Sequence, residues 1–244
     1  GVAPYLPSCN LLVRRSALEA VGGFTAGLRF GEDVELCQRL RATGHRLFYW
    51  ADAPVAHDHR TGWLPFMARR RAYGRTQSWL HAREFGAEEP RWVLLPFQLS
   101  LGLLAVALAQ GSGWWGGAAL LPLCADGLHA LASGKLPRPV PPRIRLGAAF
   151  RRTGAGLLQA ARHGVRQTLI AWPLLLLAWP TLLPAAVGAA LLGGAGEALA
   201  RRIGWRTLPP WIFLLGFLAD ALSYSLGRWE GSVRGAPSAM SVRE

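Results

Sequence analysis

From Thr168 to Ala195 the chain runs twenty-eight residues without a charged side chain. A stretch of that length and composition needs either a large protein interior or a bilayer, since about 20 apolar residues of helix match the hydrocarbon core. Pro173, Pro180 and Pro184 lie inside it. Proline removes an amide donor and clashes with the preceding turn, so the stretch is expected to kink or to split into a re-entrant pair.

Three further apolar pieces point the same way. Trp92 to Ala109 carries no charge, Gln110-Gly111-Ser112-Gly113 breaks it, and Trp114 to Leu131 is apolar apart from Asp126 and His129. These two runs predict a helical hairpin through or into a bilayer, or a buried helical pair. Pro209 to Leu222 is apolar apart from Asp220.

The formal net charge of +13 rests on arginine, with Lys135 the only lysine. Nucleic-acid binders gather basic charge on a polar face beside base-reading residues, whereas membrane proteins set it beside apolar spans on the cytoplasmic side. Here the arginines flank apolar runs, so a membrane is the expected partner and nucleic acid is not. Lys135 to Arg166 holds eight basic residues and no acidic one. Phe150, Leu157, Leu158, Ala161 and Val165 fall on one helical face, with Arg152, Gln159, Arg162 and Arg166 opposite. That pattern predicts a helix lying in the cytoplasmic interface.

The first 90 residues have a mixed, soluble-like composition. A turn-rich loop from Pro4 to Asn10 leads into strand-like Leu11-Leu12-Val13. Ser16 and Glu19 fit a capping box, and Gly22-Gly23 stops the helix it would open. A glycine-punctuated loop from Phe24 to Phe30 then reaches Gly31-Glu32-Asp33-Val34-Glu35-Leu36-Cys37-Gln38-Arg39-Leu40. Leu36 and Leu40 share a face, Glu35 lies one turn before Arg39, and Gly44 ends the helix. Unpaired amides and the helix dipole favour carboxylates at such a terminus, and a carboxylate in a cleft can accept a proton. The same pair could equally be a plain helix cap.

His45 to Trp50 alternates like a strand, and Val55-Ala56 is a second extended piece ending in His57-Asp58-His59-Arg60. Histidines two apart on extended chain point to opposite faces, so one facing a cleft fits better than both on one metal. Arg69, Arg70, Arg71, Tyr73, Arg75 and Arg83 make a basic helical segment suited to a phosphate, anionic lipid or a solvated face. Cys9, Cys37 and Cys124 form no CxxC pair, which suits packing roles in a reducing compartment. The chain opens at Gly1 directly into strand-like sequence, and an N-terminal portion is expected to precede it.

In this order and spacing, Ser8-Cys9-Asn10-Leu11-Leu12-Val13-Arg14-Arg15-Ser16-Ala17-Leu18, Val21-Gly22-Gly23-Phe24, the Gly31 to Leu40 stretch, Gly44, Tyr49 and Val55 to Arg60 resemble the acceptor half of a family 2 glycosyltransferase of the GT-A fold. Further residues resemble the mycofactocin-system members of that family. They are Arg70-Arg71-Ala72-Tyr73-Gly74-Arg75-Thr76, Ala171-Trp172-Pro173, and the tail from Leu218 to Gly231.

The resemblance implies an α/β fold for residues 1–90, then a helical membrane-associated region over 91–230 and a loose tail over 231–244. It implies inverting transfer of a sugar, glucose in the mycofactocin-like case, with Asp33 as general base and Glu32 orienting. It also implies Asn10, Arg39 and Arg60 as substrate contacts. The partners implied are a nucleotide-sugar donor such as a UDP-sugar, and an acceptor hydroxyl on a glycan, lipid or peptide-derived cofactor. A divalent ion, Mg or Mn, would be held mostly by a donor-binding half with an Asp-x-Asp motif that these residues lack, with His57 contributing. The catalytic part would be cytoplasmic and the whole membrane-associated. The rival expectation is a membrane scaffold or transport component without chemistry, which predicts acidic residues paired inside the spans.

Overall fold

The computed structural model describes residues 1–3, 5–56, 62–82, 95–132, 142–201 and 208–234. Among them run helices α1 (Arg15–Ala20), α2 (Glu32–Ala42), α3 (Trp63–Ala82), α4 (Leu95–Gln110), α5 (Gly113–Ala118), α6 (Leu120–Ala132), α7 (Pro142–Thr168), α8 (Trp172–Ala178), α9 (Leu183–Ala200) and α10 (Pro210–Arg234). Gly1–Glu88 with Ser223–Glu244 form one unit, and Glu89–Leu222 form a second.

The expected α/β architecture, and with it the GT-A assignment, is overturned: the described residues hold no strand or sheet. The β-structure they do contain is an isolated antiparallel bridge, Val2 with Phe48. Leu11 and Val13 pack on the core while Leu12 is 99% exposed, so the alternation is real. What is missing is a neighbouring strand. Side-chain alternation reports which residues face a core, whereas a sheet needs a second chain segment to take the backbone hydrogen bonds. From His45 to Trp50, Leu47 is buried and Phe48, Tyr49 and Trp50 stand exposed.

In the first unit, Leu36, Cys37 and Leu40 of α2 meet Ala17 of α1 and Leu47 in one apolar cluster. Val34 on another side of α2 joins Leu28 and the α3 residues Trp79 and Leu80 in a second. Both short helices end in Schellman turns. After α1, Gly23 N–H reaches the Leu18 carbonyl and Gly22 N–H that of Glu19. After α2, His45 N–H reaches the Leu40 carbonyl and Gly44, at φ 87°, that of Arg41. The capping box does not form: Arg14 is the N-cap of α1 without a side-chain bond, and Glu19 pairs with Arg15 at 2.8 Å. Helix α10 continues past Trp229 to Arg234, through residues whose glycine and serine content suggests a loose tail.

The second unit is a helical bundle in which α7 packs against α4, α6 and α9. The Thr168 to Ala195 run is split as its prolines predict. A 3₁₀ turn at Leu169–Ala171, α8, a non-helical Trp179 and a second 3₁₀ turn at Pro180–Leu182 precede α9. Among the described residues two segments, Pro180–Ala200 and Pro210–Val233, are long and apolar enough to cross a membrane. Of the predicted hairpin, α4 covers the described part of the first run, Leu95–Gln110.

Close approach of α7 and α9 depends on small residues. A Cβ on Gly196 would lie 2.8 Å from the Leu158 carbonyl oxygen, and one on Gly193 would lie 3.3 Å from the Ala161 carbonyl oxygen. Ala160, Ala161 and Val165 of α7 are buried. The arginine face of α7 is equally occupied. Arg152 pairs with Asp126 of α6 at 2.9 Å, Arg166 with Asp220 of α10 at 2.5 Å, and Arg162 with Glu197 of α9. Each described acidic residue of this unit is thus matched to an arginine of α7. From Arg152 onward the helix predicted to lie in an interface has neighbours on its arginine face too, because those neighbours supply the countercharges, while Phe150 of its apolar face is 71% exposed.

Candidate active site

The acidic turn is built by its glycine. Gly31 is the N-cap of α2 at φ 73° and ψ 12°, the left-handed region, which costs a residue with a Cβ about 1–2 kcal/mol. There is no room for one either, since it would sit 2.9 Å from Thr76 Cγ2. Gly31→Ala is therefore expected to destabilise the chain by about 1–3 kcal/mol. Thermal unfolding read from the tryptophan signal checks this, and an unchanged midpoint would contradict it.

Glu32 and Asp33 follow as the first residues of α2, both half-buried. Neither is the N-cap. A 3₁₀ turn at Ser8–Asn10 brings Ser8 onto both carboxylates. Its N–H donates to Asp33 Oδ2 at 3.2 Å and its hydroxyl to Glu32 Oε1 at 3.3 Å. Asp33 Oδ1 accepts the Val34 N–H at 2.8 Å, taking up one of the amides that a helix start leaves unpaired. Each Asp33 oxygen so accepts one of these bonds, and a carboxylate oxygen has lone pairs for a second. Ser8 had no role assigned from sequence. The signal for it was its place at the head of the Ser8 to Leu18 motif.

The remaining expected site residues divide. Asn10 Nδ2 donates to the Ala53 carbonyl at 2.6 Å and ties the Ser8 turn to the loop before Val55. Arg39 points inward: it holds Glu35 through Nε and Nη2 at 2.8 and 2.7 Å and donates to the carbonyls of Val21 and Gly23. It locks α2 to the glycine turn after α1. His57 and Arg60 lie outside the described residues. Among the described residues no three His, Cys, Asp or Glu side chains converge to hold a metal. Cys37 exchanges hydrogen bonds with the Leu6 backbone, and burial pushes its thiol up, as suits a packing residue. All three cysteines are free.

Helix α3 backs the turn. Thr76 and Leu80 face Gly31, and Tyr73 meets Phe30 edge-on at 5.6 Å between ring centroids. Helix α3 in turn holds the last turns of α10. Ser78 donates to the Arg228 carbonyl at 2.8 Å, Arg75 contacts Glu230 at 2.7 Å, and Arg71 grips the same carboxylate.

No family model matches the chain, and no solved structure matches it. It is similar to two curated proteins, each named pre-mycofactocin glycosyltransferase, from two strains of Mycobacterium tuberculosis. Each is 32% identical over 251 aligned residues, covering 94% of this chain and 49% of the relative. The chain thus spans about half the length of the curated relatives it matches.

Proposed function

We propose that this chain carries the acceptor-activating part of a membrane-associated family 2 glycosyltransferase. It moves glucose from a nucleotide-sugar donor such as UDP-glucose to a hydroxyl of a peptide-derived cofactor precursor, pre-mycofactocin. What carries this is the likeness to the mycobacterial enzymes over nearly the whole chain. The acidic turn supplies the chemistry. Asp33 accepts the proton of the acceptor hydroxyl as that oxygen attacks the anomeric carbon. The bond from that carbon to the diphosphate breaks, its electron pair leaves with the nucleoside diphosphate, and the configuration inverts. Ser8 holds Asp33 through one oxygen and Glu32 through its hydroxyl, which orients the pair toward one acceptor. Asn10 fixes the Ser8 turn, Arg39 fixes the far side of α2, and Arg60 contacts substrate. A divalent ion, to which His57 would contribute, would stabilise the charge of the leaving diphosphate.

Replacing the matching half of the mycobacterial relative with this chain tests the activity. Membranes holding that chimera should convert labelled UDP-glucose and pre-mycofactocin to a glucosylated product. A chimera that is folded and inserted yet transfers no sugar would sink the proposal.

Membrane association is proposed from an inverted surface. In the second unit Asp126, Glu197 and Asp220 are buried while Leu174, Leu177, Leu183 and Trp211 are exposed, Leu177 at 81%. Water would reverse that order. Expressed chain is expected to stay with membranes through a carbonate wash and to need detergent for release. A monodisperse species recovered without detergent would contradict this.

The paired acids of the second unit are also what a scaffold or transport component would hold. That reading gains if the chimera binds pre-mycofactocin without turning it over.

A further inference from the structure

The tail motif from Ser223 to Gly231 has no place in the transfer step, yet the fold gives it one. Ser223, Gly227 and Gly231 recur every fourth residue along one face of α10, all buried. Gly74 and Ser78, four apart on α3, lie against them. A Cβ on Gly227 would overlap the Arg71 carbonyl, and one on Gly74 would overlap the Tyr224 carbonyl. One on Gly231 would fall 2.5 Å from the Arg75 carbonyl and 3.0 Å from Ser78 Cβ. The two backbones thus touch along a stripe of small residues, the arrangement that lets helices pack without intervening side chains. Arg70 lies over the rings of Tyr73 and Tyr224 at 5.6 and 5.5 Å.

Small-residue contact sets distance but resists sliding poorly. Register comes from Glu230, 5% exposed, whose two oxygens are taken by Arg71 and Arg75, one helical turn apart on α3. A carboxylate held by two guanidinium groups fixes both rotation and translation of the helix that carries them. Helix α3 then presents Tyr73, Thr76, Trp79 and Leu80 to Phe30, Gly31, Leu28 and Val34, the residues on either side of the acidic pair.

We infer that Glu230 is a positioning residue for the transfer reaction, holding α3 in the register that fixes the Glu32–Asp33 turn. This rests on Asp33 being the base. A shift of about 1 Å in a reacting group can cost on the order of 10²-fold in rate, and without Glu230 the small-residue stripe, the Ser78–Arg228 bond and the Arg70–Tyr224 contact are what is left to hold the register.

The test has two readouts. In the full chain in detergent, Glu230→Gln should speed hydrogen exchange over residues 30–35 by about tenfold or more, with α1 and α7 unchanged. In the chimera the same substitution should lower kcat by about 10- to 100-fold with acceptor KM unchanged, and Glu230→Asp should recover most of it. Arg75→Lys, a milder change at the same contact, gives the same pattern at smaller amplitude should Glu230→Gln fail to fold. Unchanged exchange at the turn, or faster exchange everywhere, overturns the inference. A rise in acceptor KM at constant kcat overturns it too. Failure of the underlying reading shows separately, as full turnover in Asp33→Asn with exchange still coupled to Glu230.

Discussion

Asp33→Asn in the chimera is expected to lower turnover by about 10² to 10⁴, the usual contribution of a positioned general base. The amide keeps the volume of the carboxylate, but its one oxygen can keep only one of the two bonds that Asp33 now accepts, from Ser8 N–H at 3.2 Å and from Val34 N–H at 2.8 Å. It also loses the capacity to take a proton. Donor affinity should hold, because the proposed contact of Asp33 is with the acceptor hydroxyl. Glu32→Gln should cost less, since the amide oxygen can keep the bond from the Ser8 hydroxyl. Turnover and donor affinity measured on the same preparations separate these outcomes. Near-normal turnover in Asp33→Asn, or activity lost only together with the fold, would return the acidic pair to a helix start without chemistry.

Helix α2 was legible almost residue by residue. Its signals are local: apolar residues one turn apart, the Glu35–Arg39 pair, and a glycine at the left-handed position after the last turn. Each is settled by side chains within about four residues, so no knowledge of the rest of the chain is needed. The break near Trp179 was legible for the same reason, since a proline acts on its own preceding turn. The turn holding Glu32 and Asp33 could likewise be placed, though not its partner Ser8, which comes from 24 residues earlier.

What failed was everything decided by a distant neighbour. The alternation of His45 to Trp50 implied a strand, but the partner that would make it one is an isolated bridge at Val2. Of the tail expected to be loose over 231–244, since glycine and serine weaken a lone helix, residues 231–234 belong to α10 and the rest lie outside the described residues. Packed on α3, Gly231 is where the helix continues past Trp229, because the absence of a side chain there admits the backbone of Arg75. The α7 arginines read as a face for solvent or headgroups until Asp126, Glu197 and Asp220 arrive from three other helices.

That last arrangement carries the largest expected effect on stability. Glu197 is 3% exposed and meets three arginines: Arg162, Arg201 one turn on at the C-cap of α9, and Arg166 at 3.6 Å. Its Oε2 faces Arg162 as an ion pair without hydrogen-bond geometry. Burial pushes the Arg162 guanidinium down, and the charge of Glu197 acts against that. Removing the carboxylate leaves Arg162, 21% exposed, with its charge uncompensated inside the bundle. Breaking a buried pair from one side typically costs about 3–5 kcal/mol, so Glu197→Gln should lower the unfolding midpoint in detergent by on the order of 10 °C. Glu197→Leu combined with Arg162→Leu should recover much of that, because an apolar pair needs no countercharge. Arg15→Ala is the contrast: its pair with Glu19 is exposed on both sides and should leave the midpoint within measurement error. A midpoint for Glu197→Gln as high as that of Arg15→Ala would mean that α7 is held to α9 by its small-residue contacts alone, with the arginine face incidental to the fold.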